Sequence, residues 1–371
     1  MTCAVRILFV TQVQLDEPSG RAHHVCALAR ALAQLDHDVT LLAPGFENPI
    51  PGVHRIRPPG GLPPGLGLEA VLALRAAFAA RRADAGYVRL SSSSSIVSVA
   101  LAGLRLPLVL ELNGPVVDEQ RRRGGRVAAA VVRQSLRRVI ALAAHVVAVD
   151  SVTARHAQSV LGAQRVSVVD NGADLETAIP GSRAEARDRL GLRRAGHVVT
   201  LTGTLAPEQR LDLLLQAHQQ LDGVTLVVAG GGPGQALLDA ARSGRTGSSL
   251  VALGTVAHEQ AVLAVQAADV CVDLREDRLG LKCLEYAAVG RRLVTCRVEG
   301  VDRLHGLYPG LEALHVIDAP TVSAVRLGLE AALEAEARRG PLPLEAVNRA
   351  RATLGWEHSA RHIASLIAQC V

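Results

Sequence analysis

Short apolar runs of four to six residues alternate along this chain with longer stretches in which apolar positions recur every three or four residues, the pattern of repeated β-α units. In the first half the pattern predicts strands over 6–10, 39–42, 53–56, 86–89, 108–112, 146–149 and 166–169, with helices filling most of the gaps. The first helix, over 22–35, carries Val25, Leu28, Ala29, Leu32 and Leu35 at helical spacing, so one face packs on the sheet, and His37 and Asp38 turn into the next strand. A polar, arginine-rich stretch from 175 to 196 interrupts the pattern, with Pro180-Gly181 as breaker. The second half restarts it with strands over 197–202, 224–229, 250–253, 270–273, 292–295 and 313–317, and helices dominate after Pro320.

These elements divide the chain into a Rossmann-like α/β domain over 1–178, a linker over 179–196 and a second Rossmann-like α/β domain over 197–355. Two parallel sheets joined in this way are expected to face each other across a cleft. Ligands of open α/β sheets bind at the carboxyl ends of the strands, so function is expected in that cleft. The glycine- and proline-rich stretch 58–67 is expected to be a mobile loop, and the serine run 91–95 a polar strand-to-helix turn.

Composition narrows the function. The chain has 371 residues, 49% of them apolar, enough for two cores and too many for a disordered protein. Aromatic residues are only 2%, so leucine, valine and alanine must fill those cores. No apolar run approaches the roughly 18 residues of a membrane span. The amino terminus enters a strand-like run without a basic leader or a small-residue cleavage site, which predicts a cytoplasmic protein. Six cysteines without any C-x-x-C spacing are read as reduced. A net charge of +5 and a pI near 9.1 suit an anionic partner, but aromatics are too few for base-stacking platforms, so a phosphorylated small molecule fits better than nucleic acid. Lys282 is the only lysine, and because Leu281 precedes it there is no Walker A loop. A Schiff-base enzyme would have to use Lys282 itself. The arginines at 121–123, 126, 133, 137 and 138 form a cluster with two readings, a solvated helix face or a contact for an anionic acceptor or a membrane surface, which would then be peripheral.

Several motifs fail. The run Gly230 to Gly234 follows a strand and opens a helix, yet Gln235 stands where G-x-G-x-x-G needs its third glycine, so a nicotinamide fingerprint is not supported. Backbone amides there, around Gly232, remain suited to phosphate. His258-Glu259 lacks the second histidine of a zinc peptidase, and no G-x-S-x-G is present. Asp36-His37-Asp38 spells D-x-D but sits where a helix ends and an interior strand begins, so no metal is assigned. The informative stretch runs from Asp273 to Gly290: an apolar strand, a charged loop with Asp277, then a helix from about Gly280 with Lys282 one turn before Glu285. A surface ion pair explains such spacing elsewhere, but here the flanks are apolar and the sole lysine falls within it.

At these residues the chain resembles the retaining, nucleotide-sugar-dependent glycosyltransferases of the GT-B fold, family 4. Gly20 with the helix from His24 to Leu35 is similar to the family's first β-α-β unit, and Val168 to Asp174 to its segment before the linker. The run from Gly203 to Leu215 resembles the opening of the donor domain, Gly254 to Glu259 and Ala267 to Val270 match later segments, and Lys282-x-x-Glu285-Tyr286-x-x-x-Gly290 resembles the strongest motif. Trp356-Glu357 starts what looks like the helix, 356–371, that crosses back to the first domain.

The resemblance implies a nucleotide-diphosphate sugar held mainly by the second domain, an acceptor held mainly by the first, and transfer with retention. It implies that Glu285 holds the ribose, that Lys282 and Arg210 meet the diphosphate and Asp277 the sugar, and that Gly203, Thr204, Gly232, Gly280 and Leu281 shape the donor site. On the acceptor side it implies Gly20, His24 and Glu119, with Asn113 where the family often has histidine. Asparagine cannot act as a base, but the departing phosphate oxygen can take the acceptor's proton. Family members usually have arginine at the position of Thr204 and lysine at that of Gln209; Arg210 and Lys282 are expected to replace them, since a guanidinium binds phosphate oxygens bidentately. No cofactor is expected beyond the donor, and a homodimer is compatible with the sequence. The implied activity is metal-independent transfer to a hydroxyl of a soluble acceptor in secondary-metabolite or envelope-glycan biosynthesis. The alternative is a non-catalytic GT-B protein that binds a nucleotide sugar or serves a partner glycosyltransferase as an auxiliary subunit; an epimerase or phosphorylase of the same fold is a third reading.

Overall fold

A computed structural model of the chain describes residues 4–16, 19–45, 49–59, 61–63, 65–92, 95–194, 196–243, 249–308 and 312–371. The backbone forms two compact units, Met1–Asn171 with Trp356–Val371, and Gly172–Gly355. The first holds β1 (Arg6–Val10), α1 (Gly20–Gln34), β2 (Asp38–Leu42), β3 (Val53–Ile56), α2 (Leu66–Ala79), β4 (Ala85–Arg89), α3 (Ser95–Gly103), β5 (Leu108–Leu112), α4 (Val116–Ile140), β6 (His145–Ala148), α5 (Ser151–Ser159) and β7 (Val166–Val168). Its seven strands lie in the order β3-β2-β1-β4-β5-β6-β7, with β1 parallel to both β2 and β4. Alternate residues of a strand point to opposite faces. Ile7 and Phe9 accordingly pack with Val25, Leu28 and Leu32 of α1, while Leu8 and Val10 pack with Leu72 of α2, Leu101 of α3 and Leu136 of α4. Helix α1 starts two residues before the expected boundary because Ser19 caps it, its hydroxyl accepting from the Ala22 N–H at 3.2 Å.

The second unit holds α6 (Arg183–Arg189), β8 (His197–Thr202), α7 (Leu211–His218), β9 (Val224–Ala229), α8 (Gln235–Ser243), β10 (Ser249–Gly254), α9 (His258–Ala267), β11 (Val270–Asp273), α10 (Lys282–Val289), β12 (Arg292–Cys296), α11 (Val301–Leu307), β13 (Leu314–Ile317), α12 (Val322–Arg339) and α13 (Leu344–Leu354). Its six strands run β10-β9-β8-β11-β12-β13. The last helix, α14 (Trp356–Ala368), belongs to the first unit, where Trp356, Ile363 and Ile367 join the core of α1. In each sheet the strand order reverses beside the unit's first strand, at β1/β4 and at β8/β11, and such switch points are where open α/β sheets bind ligands.

The stretch read as a linker, 179–196, is part of the second unit and contains α6. Two of its five arginines are held by the fold, while Arg189, Arg193 and Arg194 are exposed. Arg187 Nη2 donates to Asp269 at 2.7 Å, and Arg183 bridges Asp269 at 2.7 Å and Glu336 at 2.9 Å, so these two charges tie α6 to the residue that precedes β11 and to α12. The boundary accordingly falls at Asn171/Gly172 rather than after 178. Of the expected loop 58–67, Leu66 and Gly67 already form the first turn of α2, and Gly60 and Pro64 lie outside the described residues. Ser95 opens α3, and Ser93 and Ser94 of the expected turn lie outside them as well. Cys271, Cys283 and Cys296 are free and buried, as the reduced reading requires, while Cys3 is not among the described residues. At Asp36-His37-Asp38, Asp36 takes the left-handed φ of +63° that ends α1, and the buried His37 accepts the Val5 N–H at 3.2 Å, a structural role.

Candidate functional site

Strands β8 and β11 pair at the second switch point, Val199 beside Val270, and the segments leaving their carboxyl ends carry most of the expected donor residues. Gly203 follows β8 at φ +102°, a backbone state that glycine tolerates. A Cβ there would stand 3.8 Å from Lys282 Nζ, so bare backbone faces the ammonium. Gly230, just after β9, nests against it: a Cβ on Gly230 would lie 1.8 Å from the Gly203 carbonyl oxygen. Gly232 approaches Thr204 and Leu205 in the same way, with a Cβ at 3.4 Å from both. The glycine run thus exists for two turns to meet, whatever dinucleotide motif it lacks. Gly230→Ala is expected to lower the second unit's thermal midpoint, because the added methyl overlaps the Gly203 carbonyl and forces a backbone shift of the kind that costs about 1–3 kcal/mol, which differential scanning calorimetry would measure; an unchanged midpoint would contradict the nested turns.

Lys282 opens α10 with its ammonium donating to Gln209 Oε1 at 2.5 Å and lying 3.4 Å from Asp273 Oδ1; its side chain is 10% exposed. Asp273, fully buried at the end of β11, accepts the Gly280 N–H at 3.2 Å and lies at the same distance from Cys283 Sγ. One carboxylate therefore ties the loop 274–281 back to its strand and holds the lysine at the sheet's carboxyl end. A Cβ at Gly280 would come within 2.5 Å of Asp273 Oδ2, which explains the glycine. Beneath it, the Thr202 N–H donates to the buried Tyr286 hydroxyl at 3.0 Å and locks α10 to β8. Leu281, half-buried, is the capping residue before Lys282. Glu285, three residues on, keeps 15% of its side chain exposed and places Oε1 3.7 Å from His258 Nε2. Burial pushes its carboxyl up, with His258 and Lys282 opposing and Asp174 reinforcing.

Two of the expected donor residues already hold charged partners. Arg210, in a left-handed turn at φ +49°, donates to Glu276 at 2.7 Å and lies 3.5 Å from Asp212. Asp277 accepts both arms of Arg275, at 2.9 and 2.6 Å, and although burial opposes it, that guanidinium holds the carboxyl below its ordinary range. The physical reason is local. The loop 275–278 alternates Arg, Glu, Asp and Arg, and each charge finds an opposite one close in sequence or on the neighbouring turn. The sequence assigned no role to Asp273, Arg275 or His258, although Asp273 carried a signal as an acid closing an otherwise apolar strand.

In the first unit, Asn113 and His24 converge on Glu111, buried at the end of β5. Glu111 accepts from the Tyr87 hydroxyl at 2.5 Å, from Arg89 Nε at 3.2 Å and from the Asn113 amide, and its Oε1 lies 3.1 Å from His24 Nε2. Burial alone would raise this carboxyl, but His24, Arg89 and Tyr87 together lower it to about 2. His24 is itself buried under the Trp356 ring, centroids 4.8 Å apart, so it positions Glu111 rather than facing a ligand. Asn113 stays half-buried at the strand end. The other two acceptor-side residues are not in this cluster: Gly20 is exposed in the first turn of α1 and Glu119 lies in the first turn of α4.

Residues 18–177 match the Glycosyltransferase Family 4 model and residues 196–318 the model for Glycosyl transferases group 1. Curated relatives include the D-inositol 3-phosphate glycosyltransferase of Mycobacterium ulcerans, 29% identical over 53% of this chain and 43% of the relative. That of Mycobacteroides abscessus is 32% identical over 37% of this chain and 32% of the relative. The matched stretches thus span less than half the length of these relatives. Among solved structures, sucrose-phosphate synthase from Thermosynechococcus elongatus superposes with a TM-score of 0.78 at 18% identity over 98% of both chains. Anabaena HepE in complex with UDP and glucose gives 0.73 at 18% identity, over 97% of this chain and 98% of that one. Among the described residues no helix is long and apolar enough to cross a membrane. With a family model on each unit and two switch-point sheets of the matching fold, this chain belongs to the GT-B glycosyltransferases of the family 4 type.

Proposed function

We propose that the protein transfers a sugar from a nucleotide-diphosphate sugar to an acceptor hydroxyl, with retention at the anomeric carbon and with side chains in place of a metal. The observation that carries this reading is the pair of nested, side-chain-free turns at Gly203 and Gly230 beside the Lys282 ammonium, at the carboxyl end of a switch-point sheet. A diphosphate needs cations and backbone approach, and this corner offers both. Lys282 meets the diphosphate, Glu285 accepts from the ribose hydroxyls, and Asp277, held by Arg275, faces the sugar. In the step itself the bond from the anomeric carbon to the diphosphate oxygen breaks, the acceptor oxygen bonds to the same face, and the acceptor's proton passes to the departing phosphate oxygen. Asn113, oriented by Glu111, holds sugar hydroxyls on the acceptor side. The relatives' name makes a phosphorylated cyclitol the first acceptor to try.

The test is thermal unfolding with UDP, GDP, TDP and ADP. A ligand at 100 times its dissociation constant adds about 2.7 kcal/mol to the folded state, so one nucleotide is expected to raise the midpoint. The matching nucleotide sugar with an acceptor is then expected to release nucleoside diphosphate in the presence of EDTA. A shift without turnover would favour the auxiliary-subunit reading, which the Thr204 and Gln209 positions motivate. No shift with any nucleotide would remove the donor site altogether.

A further inference from the structure

Helix α2 carries two charged residues in an otherwise apolar sequence, Glu69 and Arg75, and it buries the acid completely. Leu68 and Leu72 of the same helix share a core with Val97 and Leu101 of α3. Glu69 Oε1 accepts the Val97 N–H at 3.5 Å, and the N–H groups of Ile96 and Ser95 donate to the same carboxyl. These belong to the N–H groups that the first turn of any helix leaves without an internal partner, so α2 supplies from outside the cap that α3 needs. The second oxygen, Oε2, is buried with no hydrogen-bond partner among the described residues. No cation compensates the carboxyl there. Helix α3 has no charged residue, and the charged groups of the elements around the pair are all exposed: Arg75 of α2, Arg81 and Arg82 in the turn after it, Arg6 of β1, Asp38 of β2, and Arg126 and Arg138 of α4, which line a groove with Ser95.

An ionised carboxylate in this place leaves one oxygen bare of both water and donors, a cost that a proton removes. We propose that Glu69 makes the seating of α3 on α2 sensitive to pH: protonated, it keeps the first turn of α3 closed, and ionised, it draws in water and loosens that turn. Burial pushes the carboxyl from its ordinary 4.5 up to about 7, against the pull of the Val97, Ile96 and Ser95 N–H groups. The closed turn therefore holds the proton more tightly than the open one, and raising the pH favours opening, by about tenfold between pH 6 and pH 8 with the open carboxyl at its ordinary value. Helix α3 follows β4, whose pairing with β1 marks the first unit's switch point, so the turn that loosens is the one leaving the sheet's ligand-binding end. The inference uses only the first unit and does not depend on the donor site.

Residue-resolved hydrogen exchange of the full chain at pH 6 and pH 8, corrected for the intrinsic pH dependence of exchange, tests it. The amides of Ser95, Ile96 and Val97 are expected to lose about tenfold in protection at pH 8, while those of β5 in the same unit stay unchanged. In Glu69→Gln, which keeps the shape without titrating, protection of the three amides is expected to be equal at the two pH values. Glu69→Met, of similar size, gives the same reading should the glutamine variant not fold. Equal protection at both pH values in the native protein, a loss on the acid side instead, or an undiminished pH response in either variant would overturn the proposal. So would a loss shared equally by β5, since the opening would then be that of the whole unit.

Discussion

Glu285→Ala is expected to weaken binding of the protecting nucleoside diphosphate by at least about tenfold while leaving the fold intact. A carboxylate that accepts from ribose hydroxyls makes charge-assisted hydrogen bonds of roughly 1.5–3 kcal/mol each, and alanine removes them all. The variant should not unfold, because Glu285 keeps part of its side chain at the surface and its histidine partner lies at 3.7 Å rather than in a tight bond. Its burial supplies a second, independent readout. The carboxyl is pushed up from its ordinary value, so on acidification it takes a proton earlier than an exposed glutamate and loses its acceptor strength. Nucleotide affinity in the native protein is therefore expected to rise with pH as Glu285 ionises, and that dependence should disappear in Glu285→Ala. Isothermal titration calorimetry at several pH values measures both. An affinity that survives the substitution unchanged would remove Glu285 from the donor site, and with it the strongest motif-based assignment.

What was legible in the sequence was whatever periodicity and local spacing encode. The apolar runs of both sheets could be read because a parallel strand covered on both faces must be apolar throughout, and Lys282-x-x-Glu285 could be read because a helix places residues three apart on one side. The structure adds what depends on contacts distant in sequence. Asp273 reaches Lys282 and Gly280 only because a loop of eight residues folds back on its strand, and no spacing rule forecasts which charge will answer it. Arg210 pairs with Glu276, 66 residues on and reached from a left-handed turn, a partner that no local spacing announces. The supposed linker shows the same limit from the other side. Its polar composition was correct, but Asp269 and Glu336, 86 and 153 residues beyond Arg183, are what turn that composition into a packed helix.

Glu111→Gln is expected to destabilise the first unit by about 3–5 kcal/mol, the usual consequence of stripping one partner from a buried ion pair and leaving the other charge uncompensated. The charge left behind is that of Arg89, buried at 8% exposure, and Tyr87, His24 and Asn113 lose their common acceptor at the same time. The pH dependence has a definite sign. Glu111 titrates near 2 in the folded protein and near its ordinary value when unfolded, so the unfolded chain takes the proton first. Its stabilisation is complete above the unfolded value and is lost as pH falls toward 2, about 3 kcal/mol in all at the usual cost per pH unit. His24 adds an earlier step. Burial lowers its pKa below the ordinary 6.5, so the unfolded chain again binds the proton more readily, and stability declines as pH drops below that value. Denaturant titrations between neutral pH and pH 3 can resolve both steps through Trp356, the only tryptophan in the chain, whose ring packs directly on His24. In Glu111→Gln the lower step should vanish. Because Asn113 is oriented by the same carboxylate, the variant should also raise the KM for acceptor more than that for donor; a stable variant with unchanged KM values would show that the buried cluster neither holds the unit nor positions the sheet edge.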